Sequence, residues 1–375
     1  MTTSNFCFIK GLMCIRKIIF LYSCISLIGG CSHLLKSSAH IKNSFESIKQ
    51  IQVPAATQGT LHCNQIIAPV IDVPGITFYK DIDRSKGGHA SIIDPEKMAI
   101  RNALVKPISD FNFQIDGLAD QIWREQGTNQ TTVTCFIDSL HLWAKAGALL
   151  GEATEQGEFE RNWALSGIAL AYLKASPFLK AGDPQKQLVI QLWMEKIAHK
   201  VQLSFDDHIE RVSRKNNLSV WAGLAVQATS VAINNQEMYR WAVAKIKSNI
   251  STIDQNGYLP NELIRGQRAL HYHCFALQPL MMSAFLASSN NEDLFLSSSG
   301  ALDKLALATI ESLDQPEKLQ KIVGFTQELP EKRVRSWIEV YHFLRPEMVS
   351  SSLMDSIRPA SEKWLGGDLT LVFGH

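Results

Sequence analysis

The sequence lacks an excess of either charge: 37 Lys and Arg stand against 36 Asp and Glu in 375 residues, a formal net charge of +1. Without a basic surplus there is no electrostatic footprint for nucleic acid, so no nucleic-acid partner is expected. A polyanion would have to be held by a local cluster of cations and amides in a cleft. Pro and Gly are modest, at 13 and 22 residues, which excludes collagen-like and mucin-like chains and leaves no heavily disordered tract. The seven Cys follow no metal-ligand spacing. Long apolar runs are wanting too, since Ile18–Ile28 is too short for a comfortable membrane span. What is abundant is hydrophobic content, 46%, enough for a large core without covalent staples.

That apolar run follows Arg16 and Lys17 and leads into Gly29-Gly30-Cys31. A charged start, a short apolar stretch and small residues at its end are the parts of an export signal. The run Leu27-Ile-Gly-Gly-Cys31 resembles a bacterial lipobox, whose cysteine is lipidated and becomes the new N-terminus. A plain cleaved signal or a signal anchor are the alternatives. The expected organisation is a lipoprotein signal at 1–30, a flexible tether at 31–60 and a single domain at 61–375. The location expected is periplasmic, with Cys31 anchored in a membrane, the outer one for preference. Removing residues 1–30 leaves 34 bases, 36 acids and Cys63, Cys135 and Cys274 as unlipidated thiols.

Beyond about residue 95 helical periodicity dominates and strand signals almost vanish. Phe136, Leu140, Trp143, Ala146 and Leu150 recur at helix spacing, and further helices are indicated near 218–233, 236–250, 265–288, 300–313 and 332–344. Breaks fall where Asn, Gly, Asp and Pro cluster, at Ala181-Gly-Asp-Pro184, Asn234-Asn235, Asp254–Gly257, Ser289–Glu292 and Asp314-Gln-Pro316. Many helices with short connections imply one all-α domain. An incomplete (α/α) toroid of antiparallel hairpins is the form favoured, because its central cleft can take an extended polymer.

The densest polar constellation runs from Arg214 to His273. Asn216 and Asn217 stand where a helix should begin, a place that favours Asn as a cap and that attracts anions. Arg265 and Tyr272 are seven residues apart on the expected helix, two turns or about 10 Å along one face. Arg268 lies on the adjoining row, and the two guanidinium groups should favour the Tyr272 phenolate. His271 and His273 flank Tyr272 but point roughly 100° away from it. With Cys274 they superficially suggest a metal site, yet positions i and i+2 share no helical face, so no metal is expected.

The run Leu259-Pro-Asn-Glu-Leu263, Arg265, Gln267-Arg-Ala-Leu270, Tyr272-His273 and Pro279-Leu-Met-Met282 resembles the core motif of the alginate lyases of polysaccharide lyase family five. Asn216-Asn217, Ser219 and Trp221 match as well, with fainter echoes at Trp163-Ala-Leu165, Ser336-Trp337 and Leu365-Gly-Gly-Asp368. The resemblance implies an incomplete helical barrel that cuts 4-linked mannuronate by β-elimination, with no cofactor. The implied partner is an acidic polysaccharide, alginate or a related uronan. By it Tyr272 is the base and acid, Arg265 and Asn217 neutralise the substrate carboxylate, and Asn216, Trp221 and Arg268 bind sugar, Trp221 as a stacking platform. It also implies a Cys63–Cys135 disulfide, worth about 4 kcal/mol by loop closure. Two departures stand out. Leu218 replaces the family's catalytic His, and Thr154-Glu-Gln-Gly-Glu158 puts carboxylates where the family carries Asn-His-Thr-Gly-Lys. The alternative reading is therefore a lyase-shaped lipoprotein that binds acidic polymer without cutting it. A third, a helical structural lipoprotein unconnected with sugars, fits the motif density least.

Overall fold

The computed structural model describes residues 40–49, 66–73, 80–81 and 92–374. The expected signal, the expected lipidation site Cys31, and Cys63 lie outside the described residues.

Helices carry the architecture. In chain order they are α1 (Ser44–Ile48), α2 (Pro95–Arg124), α3 (Gln130–Ala146), α4 (Glu155–Ala175), α5 (Pro184–Asp206), α6 (Asn217–Ile233), α7 (Gln236–Ile250) and α8 (Pro260–Leu263). They continue with α9 (Ala269–Ser288), α10 (Leu294–Ser297), α11 (Ala301–Asp314), α12 (Pro316–Val323), α13 (Trp337–Leu344), α14 (Ser351–Ile357) and α15 (Leu369–Phe373). Two-residue antiparallel pairs, Lys80–Asp81 with Ile92–Ile93 and Ser361–Glu362 with Gly367–Asp368, are the strands of the described residues.

The boundaries follow from local chemistry. Asp183 accepts from the Gln185 and Lys186 amides, with Pro184 at the first position of α5, where its missing N–H costs nothing. Asn234 ends α6 in the left-handed region (φ 56°), and Asn235 at once caps α7 through its side chain.

Hairpins α2/α3, α4/α5 and α6/α7 place one helix inside and one outside. Helix α4 packs on both α2 and α6, α6 on α9, and α9 on α13, while α3 meets α5 on the outer layer. The inner helices α4, α6 and α9 are buried nearly all round, so they show little amphipathic contrast and read as apolar throughout. This is the expected all-α toroid of hairpins, with the helices indicated by periodicity and the toroid by the need for a central cleft.

Three expectations need correction. Residues 40–49 are not tether. Ile41 and Phe45 are buried, Ser44 Oγ donates to Phe285 O at 2.9 Å, and Asn43 Nδ2 donates to Leu173 O at 2.8 Å. Phe45 also meets Trp123 and Phe285 edge-on, at 6.1 and 5.1 Å. Its apolar payload outweighs the polar composition around it. Secondly, the helix expected over 265–288 begins only at Ala269. Gly266 adopts φ +55°, which stops α8 from running on and inserts a short 3₁₀ turn, Gly266–Arg268. Arg265 therefore precedes the helix that carries Tyr272. Thirdly, Trp221 is fully buried and donates from Nε1 to Phe275 O at 3.1 Å, so it is core and offers no platform to sugar.

Candidate active site

A cavity of about 540 Å³ opens among α2, α4, the start of α6, the start of α9 and the 331–364 segment. Asn217, Arg265, Arg268 and Tyr272 all line it. Asn216 does not: its Oδ1 accepts from the Leu218 amide at 3.0 Å, so it serves as the cap of α6. The constellation read from sequence thus converges except for Asn216 and Trp221.

Arg265 reaches Tyr272 by a different route from the two-turn helix stagger. The turn at Gly266 folds Arg265 back, and its guanidinium carbon lies 4.6 Å from the centroid of the Tyr272 ring. The Arg268 guanidinium lies 5.5 Å from the same ring. Both geometries are within cation–π range. Beneath them Glu262, fully buried, accepts from the Asn217 backbone N–H at 2.8 Å and from Asn217 Nδ2 at 2.9 Å, and pairs with Arg265 Nε at 3.4 Å. One carboxyl group thereby aligns both expected charge neutralisers. The Asn217 amide spends one of its two N–H donors there and keeps the other.

The phenol departs from expectation. Burial raises the Tyr272 pKa above its ordinary value, and the opposing pull of Arg265 and Arg268 does not reverse it. Desolvation of a phenolate outweighs two cations that are shared with Glu262 and Glu328. At neutral pH the group rests as a phenol.

Five cations, Arg101, Arg265, Arg268, Arg333 and Lys363, line the cavity against the two carboxylates Glu331 and Glu362. Arg101, Arg333 and Lys363 escape sequence reasoning because they lie 171 residues before Tyr272 and 61 and 91 residues after it. The carboxylates expected to intrude do not. Glu155 pairs with Arg211 at 3.2 Å and Glu158 with Arg161 at 2.6 Å, leaving Gln156 and Phe159 to face the cavity. The other wall is apolar: Phe159, Trp163, Leu218 and Phe275, with Trp163 edge-on to Phe275 at 5.9 Å.

The two flanking histidines differ. His273 is fully buried; Leu259 N–H donates to its Nε2 at 3.0 Å, which leaves Nδ1–H to donate to Ala269 O at 2.8 Å. Burial lowers its pKa to about 4. The unfolded chain, with an ordinary imidazole, takes up the proton first as pH falls. The neutral ring's full contribution is therefore present above pH 6.5 and is lost between there and about pH 4. The loss should reach about 3 kcal/mol. In urea unfolding, His273→Gln should be less stable than the native protein at pH 7, and the gap should narrow by pH 4.5. A gap that stays constant would mean His273 does not titrate in this way. His271, by contrast, lines the cavity beside Tyr272, stacked on Phe275 with centroids 6.2 Å apart. The angular argument that turned it away fails because the cavity wraps more than one face at the start of α9.

Comparison with known proteins gives the family. The profile described as "Alginate lyase" matches residues 85–319. The chain is 32% identical over 308 residues to a polysaccharide lyase of Stenotrophomonas maltophilia (strain K279a), covering 81% of this chain and 88% of that one. It is 30% identical to an alginate lyase of Pseudomonas syringae pv. syringae, over 83% of this chain and 82% of that one. Among solved structures, alginate lyase A1-III from Sphingomonas species A1 shares the fold at a TM-score of 0.74 and 20% identity, over 89% of this chain and 97% of that one. Through the matched profile, the relatives and the motif around Tyr272, the chain belongs to the alginate lyase family.

Proposed function

We propose that this chain is an eliminative lyase for alginate or a related 4-linked mannuronate polymer. The observation that carries the reading is the cluster of Arg265 and Arg268 over the Tyr272 ring, on the wall of a cation-lined cavity. Relatives named alginate lyase point the same way, and variants of alginate lyase A1-III are complexed with a tetrasaccharide.

The chemistry follows from the groups present. Arg265 and Asn217 neutralise the uronate carboxylate, which makes the adjacent C5 proton acidic and stabilises the enolate that forms. The Tyr272 oxygen, once deprotonated, takes the C5 proton. The freed electron pair closes the C4=C5 double bond as the C4–O4 bond breaks. The phenol then gives its proton to O4, and the net result is one saturated and one unsaturated sugar end. A single residue can serve as base and acid because in mannuronate C5–H and O4 lie on the same side of the ring.

The direct test is ultraviolet absorbance of the unsaturated product, with polymannuronate, polyguluronate and other uronans as substrates. Because burial lifts the Tyr272 pKa above its ordinary value, the phenolate fraction, and with it kcat/KM, should rise as pH is raised above neutral. Absence of product from every uronan, at neutral and at raised pH, would remove the lyase reading. It would favour the second reading, a binder that holds acidic polymer without cutting it. The apolar Leu218 at the cavity is what motivates that alternative.

The same reading places the protein in the periplasm, anchored by lipid at Cys31. Cys135, which is not among the free thiols of the described residues, would pair with Cys63. Cys31→Ser should release the protein from the membrane fraction of cells, and peptide mapping should recover a Cys63–Cys135 peptide. An unchanged membrane fraction would refute the anchor.

A further inference from the structure

Phe113 is not explained by packing. It leaves 60% of its surface exposed on α2, directly after the buried Asn112, and it lines the cavity. A lone exposed aromatic residue needs no explanation. This one has a cation set against it. Lys363 Nζ lies 5.0 Å from the Phe113 ring centroid and 4.4 Å from the Trp364 ring, and it donates to Ser109 Oγ at 2.5 Å. Ser109 stands one turn before Phe113 on the same helix, so hydroxyl, ammonium and ring form one unit.

That ammonium has no carboxylate in ion-pair range among the described residues. Its sequence neighbour Glu362 is committed to Arg333 at 3.1 Å. Both cations line the cavity with Phe113. Glu362 and Glu160 act on Lys363 from beyond ion-pair range. An ammonium lodged between rings with no carboxylate in contact favours an anion, and an exposed ring beside it favours an apolar face. A pyranose uronate offers both: a C–H face and a carboxylate at the ring edge.

We propose that Phe113 and Lys363 form a subsite for a further uronate ring of the bound chain, apart from the ring handled by Tyr272. The sugar stacks on Phe113, its carboxylate pairs with Lys363, and Arg333 supplies a second positive charge at the same end. The inference rests on the uronan-binding reading above and extends it to a second ring.

The test is calorimetric titration with mannuronate oligomers of two to six rings, in the Tyr272→Phe background so that the ligand survives. Phe113→Ala and Lys363→Met should each weaken hexamer binding roughly five- to tenfold. The loss should grow with oligomer length, and Phe113→Trp should restore affinity. Both positions touch the cavity rather than the core, and near-ultraviolet circular dichroism checks that the variants are folded. If both variants bind the hexamer as tightly as their parent while Arg265→Ala binds it more weakly, the subsite is refuted and the uronan reading stands. If the parent binds no oligomer, both fall together.

Discussion

Tyr272→Phe should lower the rate of unsaturated-product formation by roughly 10³-fold or more, while polymer affinity stays within a few-fold of the native protein. The substitution removes one oxygen and keeps the ring over which Arg265 and Arg268 lie, at 4.6 and 5.5 Å. Carboxylate recognition through Arg265 and Asn217 is therefore preserved. What is lost is the only group in the proposed scheme that both accepts the C5 proton and returns one to O4. The two functions vanish together, so a small residual rate would come from solvent base acting on a substrate whose carboxylate is still neutralised. Initial-rate absorbance measurements, paired with calorimetry on the same polymer, separate the two effects. A variant that retained a tenth of the native rate would take Tyr272 out of the reaction.

Leu218→His should raise the rate on polymannuronate by about 10²-fold. Leu218 is the second residue of α6, adjoining Asn217 and lining the same cavity, and it can neither donate a hydrogen bond nor exchange a proton. An imidazole there would sit within the site that holds the substrate carboxylate. It would add a donor that acts as charge develops, the kind of contact whose removal elsewhere costs 10²–10³. The position is half-buried rather than part of the tight core, so the polar group keeps access to water or ligand and the fold should tolerate it. Comparing kcat/KM for the native protein, Leu218→His and Leu218→Ala settles the matter. Equal rates for His and Ala would show that the cavity works without a donor at this place.

Much of the architecture was legible because its punctuation is chemical. Asn234-Asn235, Asp183-Pro184 and Gln315-Pro316 end and restart helices through caps and ring geometry that depend on a few adjacent residues. The site was legible where its residues lie close in sequence, from Asn217 to Tyr272. Legibility failed where three-dimensional context decides. Trp221 belongs to an inner helix surrounded on every side, and sequence spacing cannot tell a ring facing sugar from one facing Phe275. Gly266 was invisible as a breaker inside an otherwise helical pattern, so the contact between Arg265 and Tyr272 was expected for a reason that does not hold. The Tyr272 ionisation reversed because burial is set by the whole ring of helices, whereas the nearby arginines are visible in the sequence. Arg101, Arg333 and Lys363 approach from both flanks of the chain, and no local signal marks them.

The arm that carries α1 has a mechanical consequence. Ile41 N–H donates to Asn234 Oδ1, Asn43 holds Leu173, Ser44 holds Phe285, and Phe45 lies between Trp123, Phe285 and Phe373. Residues 40–49 thus touch α2, α4, α9 and α15 and the Asn234 cap at the end of α6. They act as a keystone, loading elements that are far apart along the polypeptide against one another. A recombinant form begun after this arm would not be a trimmed copy of the same molecule: it would expose an aromatic socket to water and release the restraint that ties α15 to α2 and α9.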